Sequence, residues 1–178
     1  MLYIFPNVIT ICNFVCGVLS IYSVLFLNIY ASIAFICIGA LFDLMDGFIA
    51  RKCDAVSEFG KELDSLSDIV TFCVAPSILV YTIALSDLGT IGLLAALVFS
   101  VCGLIRLARF NATQSTLSTF IGMPVPLAAL CLLVLAFLLH PILLAVGTCL
   151  LGYLMVSRVK FPHFKNKVKK WDAENGAH

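Results

Sequence analysis

The chain has 178 residues, 62% of them hydrophobic and 12% charged, with a mean hydropathy of +1.10 and a formal net charge of +1. A water-soluble domain of this size has too little interior to hide so much apolar surface, so the composition excludes a soluble globular protein and points to an integral membrane protein. The net charge says little, because the informative asymmetry lies between the two faces of the membrane.

Six apolar segments follow one another, at about 5–27, 29–50, 68–86, 89–110, 120–139 and 141–157. Each is near the roughly 17–25 residues that cross a bilayer as a helix, which predicts an all-α, polytopic membrane protein. The connections are too short for a second folded unit. One six-helix membrane domain is therefore expected over 1–160, with a basic tail over 161–178. No segment reads as a cleaved signal peptide, since the first lacks a basic leader and the chain runs straight into a second span.

In chain order, segment one carries Pro6 where a helix's first turn tolerates it. Asn7, Thr10 and Asn13 are spaced by three and share a face, suited either to interhelical hydrogen bonds or to lining a ligand pocket. Segment two ends with Asp43, Asp46, Gly47 and Ala50 at helical positions i, i+3, i+4 and i+7, all on one side. After a short charged loop, Gly60, Asp64 and Asp68 form a second row at intervals of four and lead into segment three. There Pro76 is expected to kink the helix and open room beside the aspartates. Segment four closes with Arg106, Arg109 and Asn111. The arginines are three apart at the membrane boundary, either as snorkelling anchors or as an anion-recognising pair. Phe120, Gly122, Pro124 and Pro126 then predict a rigid re-entry into segment five.

The eleven Lys and Arg residues are Arg51, Lys52, Lys61, Arg106, Arg109, Arg158, Lys160, Lys165, Lys167, Lys169 and Lys170. With the N-terminus in the cytoplasm, every one falls on the inner side, and the outer turns hold only Asp87 and His140. This one-sided distribution predicts a multi-pass protein of the cytoplasmic membrane whose aspartates open toward the cytoplasm. The tail mixes bases with Phe161, Phe164 and Trp171, which suits an anionic lipid surface better than nucleic acid. It also places the Asn111 to Thr113 glycosylation sequon on the wrong side for use. The eight cysteines contain no CxxC pair, and seven of them sit in apolar segments, so they are expected to be packing residues rather than a disulfide framework.

Carboxylates at the ends of apolar helices are costly to desolvate unless something positive compensates them. Two helix faces joined by a short loop would aim four at a common point. An all-oxygen set suits Mg²⁺, Mn²⁺ or Ca²⁺ rather than zinc. Gly47, Ala50 and Gly60 lack bulk and let a phosphorylated ligand approach the helix backbones. Arg51 supplies a fixed cation for phosphate oxygens. A carboxylate at the edge of the site could take a proton from an incoming hydroxyl. Together these residue types point to transfer chemistry on a diphosphate that carries a lipid.

Asp43 to Asp68 also resembles, without gap or substitution, the D-x-x-D-G-x-x-A-R-x8-G-x3-D-x3-D signature of the CDP-alcohol phosphatidyltransferases, with eight fixed positions over 26 residues. Pro6, Asn7 and Thr10, the Arg106–Asn111 run and the Phe120–Pro126 run are similar to the serine-accepting branch of that family in Gram-positive bacteria and archaea. The resemblance covers most of residues 3–165 and implies the six-helix family fold. It implies the reaction CDP-diacylglycerol + L-serine → phosphatidylserine + CMP by direct displacement. It further implies that Asp43, Asp46, Asp64 and Asp68 hold a divalent cation, Mg²⁺ or Mn²⁺, as two ions, and that Asp68 doubles as the base. Asn7, Thr10, Gly47, Ala50, Arg51 and Gly60 would contact CDP-diacylglycerol, and relatives imply a homodimer among membrane lipids. Arg106, Arg109 and Asn111 are the residues assigned to serine, whose carboxylate needs a cation. Rivals are another acceptor (glycerol 3-phosphate or inositol phosphate), a membrane prenyltransferase, a divalent-cation transporter and a merely solvated acidic loop. The last would not require Gly and Ala at matching helical intervals.

Overall fold

The computed structural model describes residues 4–52, 57–113 and 122–157, with side chains at 6–49, 57–112 and 122–157. The described residues form six helices and no strand. Four are long and apolar enough to cross a membrane: α1 (Ile4–Leu25), α2 (Ile29–Lys52), α3 (Glu58–Leu88) and α4 (Thr90–Thr113). The remaining two, α5 (Val125–Leu138) and α6 (Pro141–Val156), are as apolar but only 14 and 16 residues long. The expected fifth segment is trimmed at both ends for local reasons. Gly122 takes φ +91°, and Pro124 is extended at φ −59° and ψ 138°, so residues 122–124 are not helical and α5 starts at Val125. His140 precedes a proline and is driven to ψ 149°, which separates α5 from α6.

The third helix begins at Glu58 rather than near 68. Ser57 caps it, its Oγ accepting from the Gly60 N–H at 3.0 Å, and Glu58 complements the positive end of the helix dipole. This polar first stretch carries Asp64 and Asp68 on the same rod as the apolar segment. Pro76 does not simply bend that rod. The turn before it, Ile69–Val74, widens to a π-helix in which the Ala75 N–H reaches Val70 O, and α-helix resumes at Ala75–Val80. The Cys73 carbonyl accepts from Ser77 Oγ at 2.7 Å, and Ser100 Oγ on α4 donates to Ser77 Oγ at 2.8 Å.

Half of the most apolar stretch of α3 is buried, against 33% or less for α1, α2 and α4, which makes α3 the central rod. Phe72, Leu79 and Leu85 of α3 pack with Phe99 of α4, Leu132 of α5, and Leu144 and Met155 of α6. Tyr22, Leu41, Phe48, Leu94, Phe137 and Val146 point outward, as lipid-facing residues do. The described cysteines are all free thiols.

The approach of α1 and α2 to α3 is set by missing side chains. A Cβ on Gly17 would lie 2.5 Å from Thr71 Oγ1 and 2.9 Å from its Cα, and one on Gly39 would lie 2.6 Å from Thr71 Cγ2. Three helices thus converge on Thr71, one turn beyond Asp68. The Ser20 and Ser32 hydroxyls, 2.8 Å apart, join α1 to α2 farther along. Because the obstacle at Gly17 is backbone, Gly17→Ala should destabilise the protein by about 1–3 kcal/mol in thermal unfolding. Gly147→Ala, whose new Cβ meets only side-chain methyls, Leu135 Cδ1 at 3.5 Å and Leu139 Cδ1 at 3.9 Å, should not. Equal midpoints for the two variants would contradict this packing.

Candidate metal centre

The helix α2 and the first turns of α3 both lie against α1, and their acidic rows meet there. Asp43, Asp64 and Asp68 each offer a carboxylate oxygen, and these oxygens lie within 4.8 Å of one another. Asp46 is buried beside them, within electrostatic range of all three, and its Oδ2 accepts from Thr10 Oγ1 at 2.7 Å. Asp68 is buried as well, and its Oδ1 accepts from Asn13 Nδ2 at 3.3 Å. Oδ1 of Asp64 is buried with no hydrogen-bond partner among the described residues. A carboxylate oxygen left so, among other carboxylates, suits a cation. Hard oxygen donors on two rigid helices suit a divalent ion.

The expected four-carboxylate point is thus a group of three, with Asp46 flanking it under the hold of α1. Asn7 also turns to this end: a Cβ on Gly60 would sit 3.0 Å from Asn7 Oδ1, so Asn7 and Gly60 border the same space. Gly47 is half-buried on α2, next to Asp46. The Ala50 and Arg51 side chains, Cys53, Phe120 and the 161–178 tail lie outside the described residues.

The three residues assigned to the acceptor diverge. Arg106 is half-buried on α4, its guanidinium carbon 5.3 Å from the Phe110 ring centroid, and it is in electrostatic range of Asp68. Arg109 is exposed and donates from Nη1 to the Val156 carbonyl at 2.8 Å, a cation on a helix C-terminus. Asn111 spans to α3, donating to Glu62 Oε2 and accepting from Ser65 Oγ, both at 3.1 Å. Arg106 thus couples to the aspartate cluster, while Arg109 and Asn111 bond the Val156 carbonyl and the Glu62–Ser65 turn. Sequence reasoning left Asn13 off the site, although its spacing from Asn7 and Thr10 was the available signal. It missed Ser67 and Thr71, whose hydroxyls bond the Thr10 and Asn13 carbonyls. A hydroxyl in an apolar helix gives no sign of its partner.

A family model described as CDP-alcohol phosphatidyltransferase matches residues 3–159. The chain is 56% identical over 170 residues to the CDP-diacylglycerol–serine O-phosphatidyltransferase of Bacillus subtilis, covering 96% of this chain and 94% of that protein. It is 41% identical over 165 residues to the protein of that name from Methanocaldococcus jannaschii, covering 90% and 74%. The archaetidylserine synthase of Methanothermobacter thermautotrophicus is 37% identical over 126 residues, covering 70% and 54%. The matched family generally depends on divalent cations, in keeping with the acidic cluster. If the cluster holds the ion, Asp64→Asn should weaken Mn²⁺ binding in calorimetry. Thr10→Val, which removes the hydroxyl bonded to Asp46 Oδ2, should weaken it about 10–100-fold. Unchanged Mn²⁺ affinity in Asp64→Asn would remove the metal assignment.

Proposed function

Because the chain belongs to the CDP-alcohol phosphatidyltransferase family, we propose that its acceptor is L-serine, its donor CDP-diacylglycerol, and its products phosphatidylserine and CMP. That it is a membrane enzyme moving a phosphatidyl group onto an alcohol follows from the family itself. The observation that carries the serine assignment is 56% identity, over nearly the whole of both chains, to an enzyme named for that reaction.

The residues divide the work as follows. Asp43, Asp46, Asp64 and Asp68 hold the divalent cation, Mg²⁺ or Mn²⁺ as a pair of ions, and this is supported by the grouped oxygens and the unpartnered Asp64 Oδ1. Such ions, when bound, neutralise the pyrophosphate charge as its anhydride bond breaks. Asn7, Thr10, Gly47, Ala50, Arg51 and Gly60 take the CDP moiety, with Asn7 and Gly60 bordering one space. The serine oxygen attacks the phosphorus that bears diacylglycerol, its proton passes to Asp68, and CMP leaves. No covalent enzyme intermediate is needed. Arg106 receives the serine carboxylate at the edge of the acidic cluster, while Arg109 and Asn111 close the acceptor side by tying α4 to α6 and α3. The protein sits in the cytoplasmic membrane as a homodimer with this site toward the cytoplasm, and the 161–178 tail rests on the lipid surface. The one-sided distribution of its basic residues supports that orientation.

The test is purified protein with CDP-diacylglycerol and Mn²⁺, comparing CMP release with serine, glycerol 3-phosphate and inositol phosphate. Serine should give the fastest release, and a faster rate with either phosphorylated acceptor would displace it. Arg106→Ala should raise KM for serine about tenfold or more, the loss of one charge-assisted hydrogen bond, with little change for CDP-diacylglycerol.

A further inference from the structure

Asn13 stands on α1, outside the aspartate signature, and is completely buried where α1, α2 and α3 meet. Its Nδ2 donates to Asp68 Oδ1, while its own Oδ1 is buried with no hydrogen-bond partner among the described residues. Leucine, of nearly the same shape, would fill this space without stranding a carbonyl, so packing alone gives no reason for an amide. What the amide adds is the donor on Asp68.

Its surroundings hold that donor in place. Ser67 Oγ donates to the Thr10 carbonyl at 3.2 Å, and Thr71 Oγ1 donates to the Asn13 carbonyl at 3.0 Å. These bonds pin α3 to α1 one residue before Asp68 and three residues after it. On the α2 side, a Cβ at Gly39 would lie 2.9 Å from Asn13 Oδ1, so the amide is hemmed in there too. With Oδ1 tied to α1, rotation of the Asp68 carboxylate about its last bond is fixed.

We propose that Asn13 is a positioning residue for Asp68. It holds the carboxylate in the orientation that takes the acceptor hydroxyl's proton as the new O–P bond forms and the bond to CMP breaks. This rests on the phosphatidyl-transfer function proposed above. Being wholly buried, Asn13 acts through Asp68 and touches neither substrate.

Asn13→Leu and Asn13→Ala both remove the donor, the first while nearly keeping the shape. Ser20→Ala removes a buried bond from the same helix away from the site. In full-length protein in lipid nanodiscs with Mn²⁺, the two Asn13 variants should lower kcat for CMP release about tenfold or more. KM for CDP-diacylglycerol and for the acceptor should stay near wild type, the mark of an interaction expressed in the transition state. Ser20→Ala should keep its kcat. The proposal is overturned if kcat holds in both Asn13 variants, if KM rises in step with its loss, if Ser20→Ala loses as much, or if neither Asn13 variant folds. An inactive wild type with every acceptor would instead overturn the function, since the variant comparison presupposes CMP release.

Discussion

Mutual repulsion among carboxylates at the end of an apolar bundle is the constraint on which this protein depends. Three oxygens within 4.8 Å, with Asp46 alongside, would repel by about 3.5 kcal/mol or more for each ionised pair at an effective dielectric of 20. Burial adds a desolvation penalty. Left uncompensated, such a group would consume much of a domain's net stability. A divalent cation reverses the sign of every one of these terms, so the same arrangement that opposes folding makes a strong site for a hard metal and its phosphate ligand.

Much of the remaining structure serves to keep the carboxylates where repulsion would scatter them. The glycines at 17 and 39 bring α1 and α2 onto α3 at Thr71, within one helical turn of Asp68. Polar groups of α1 then do what no residue of the signature can, with Thr10 holding Asp46 and Asn13 holding Asp68. The wide turn at Ile69–Val74 contributes Phe72 to the core and lies between this polar end and Leu79 and Leu85. It accommodates Pro76 without breaking the rod that joins the two. Rigid helices, rather than loops, therefore carry the acidic side chains, which suits a site that must hold one geometry.

The acidic rows were legible in the sequence because helical periodicity is a local property: intervals of three and four place Asp43 with Asp46, and Asp64 with Asp68, before any fold is known. Hydropathy likewise gave α1, α2 and α4 nearly to their ends. It could not give the start of α3, because Glu58 to Asp68 is helical through capping and tertiary contact rather than apolar content. Nor could it fix the ends of α5, which are decided by single backbone conformations at Gly122, Pro124 and His140. Partners across helices were the least legible. Arg109 and Arg106 look alike in sequence, yet one meets the Val156 carbonyl and the other faces the acids. Thr10 and Asn13 offered their spacing, but whether they met one another, a ligand or the aspartates depended on how close α1 could come.

Anomalous diffraction from crystals of the protein grown with Mn²⁺ tests the central claim most directly. A manganese peak should lie between α2 and α3, about 2.0–2.2 Å from oxygens of Asp43, Asp64 and Asp68. Manganese bound elsewhere, or Asp43 and Asp64 carboxylates too far apart to share an ion, would contradict it.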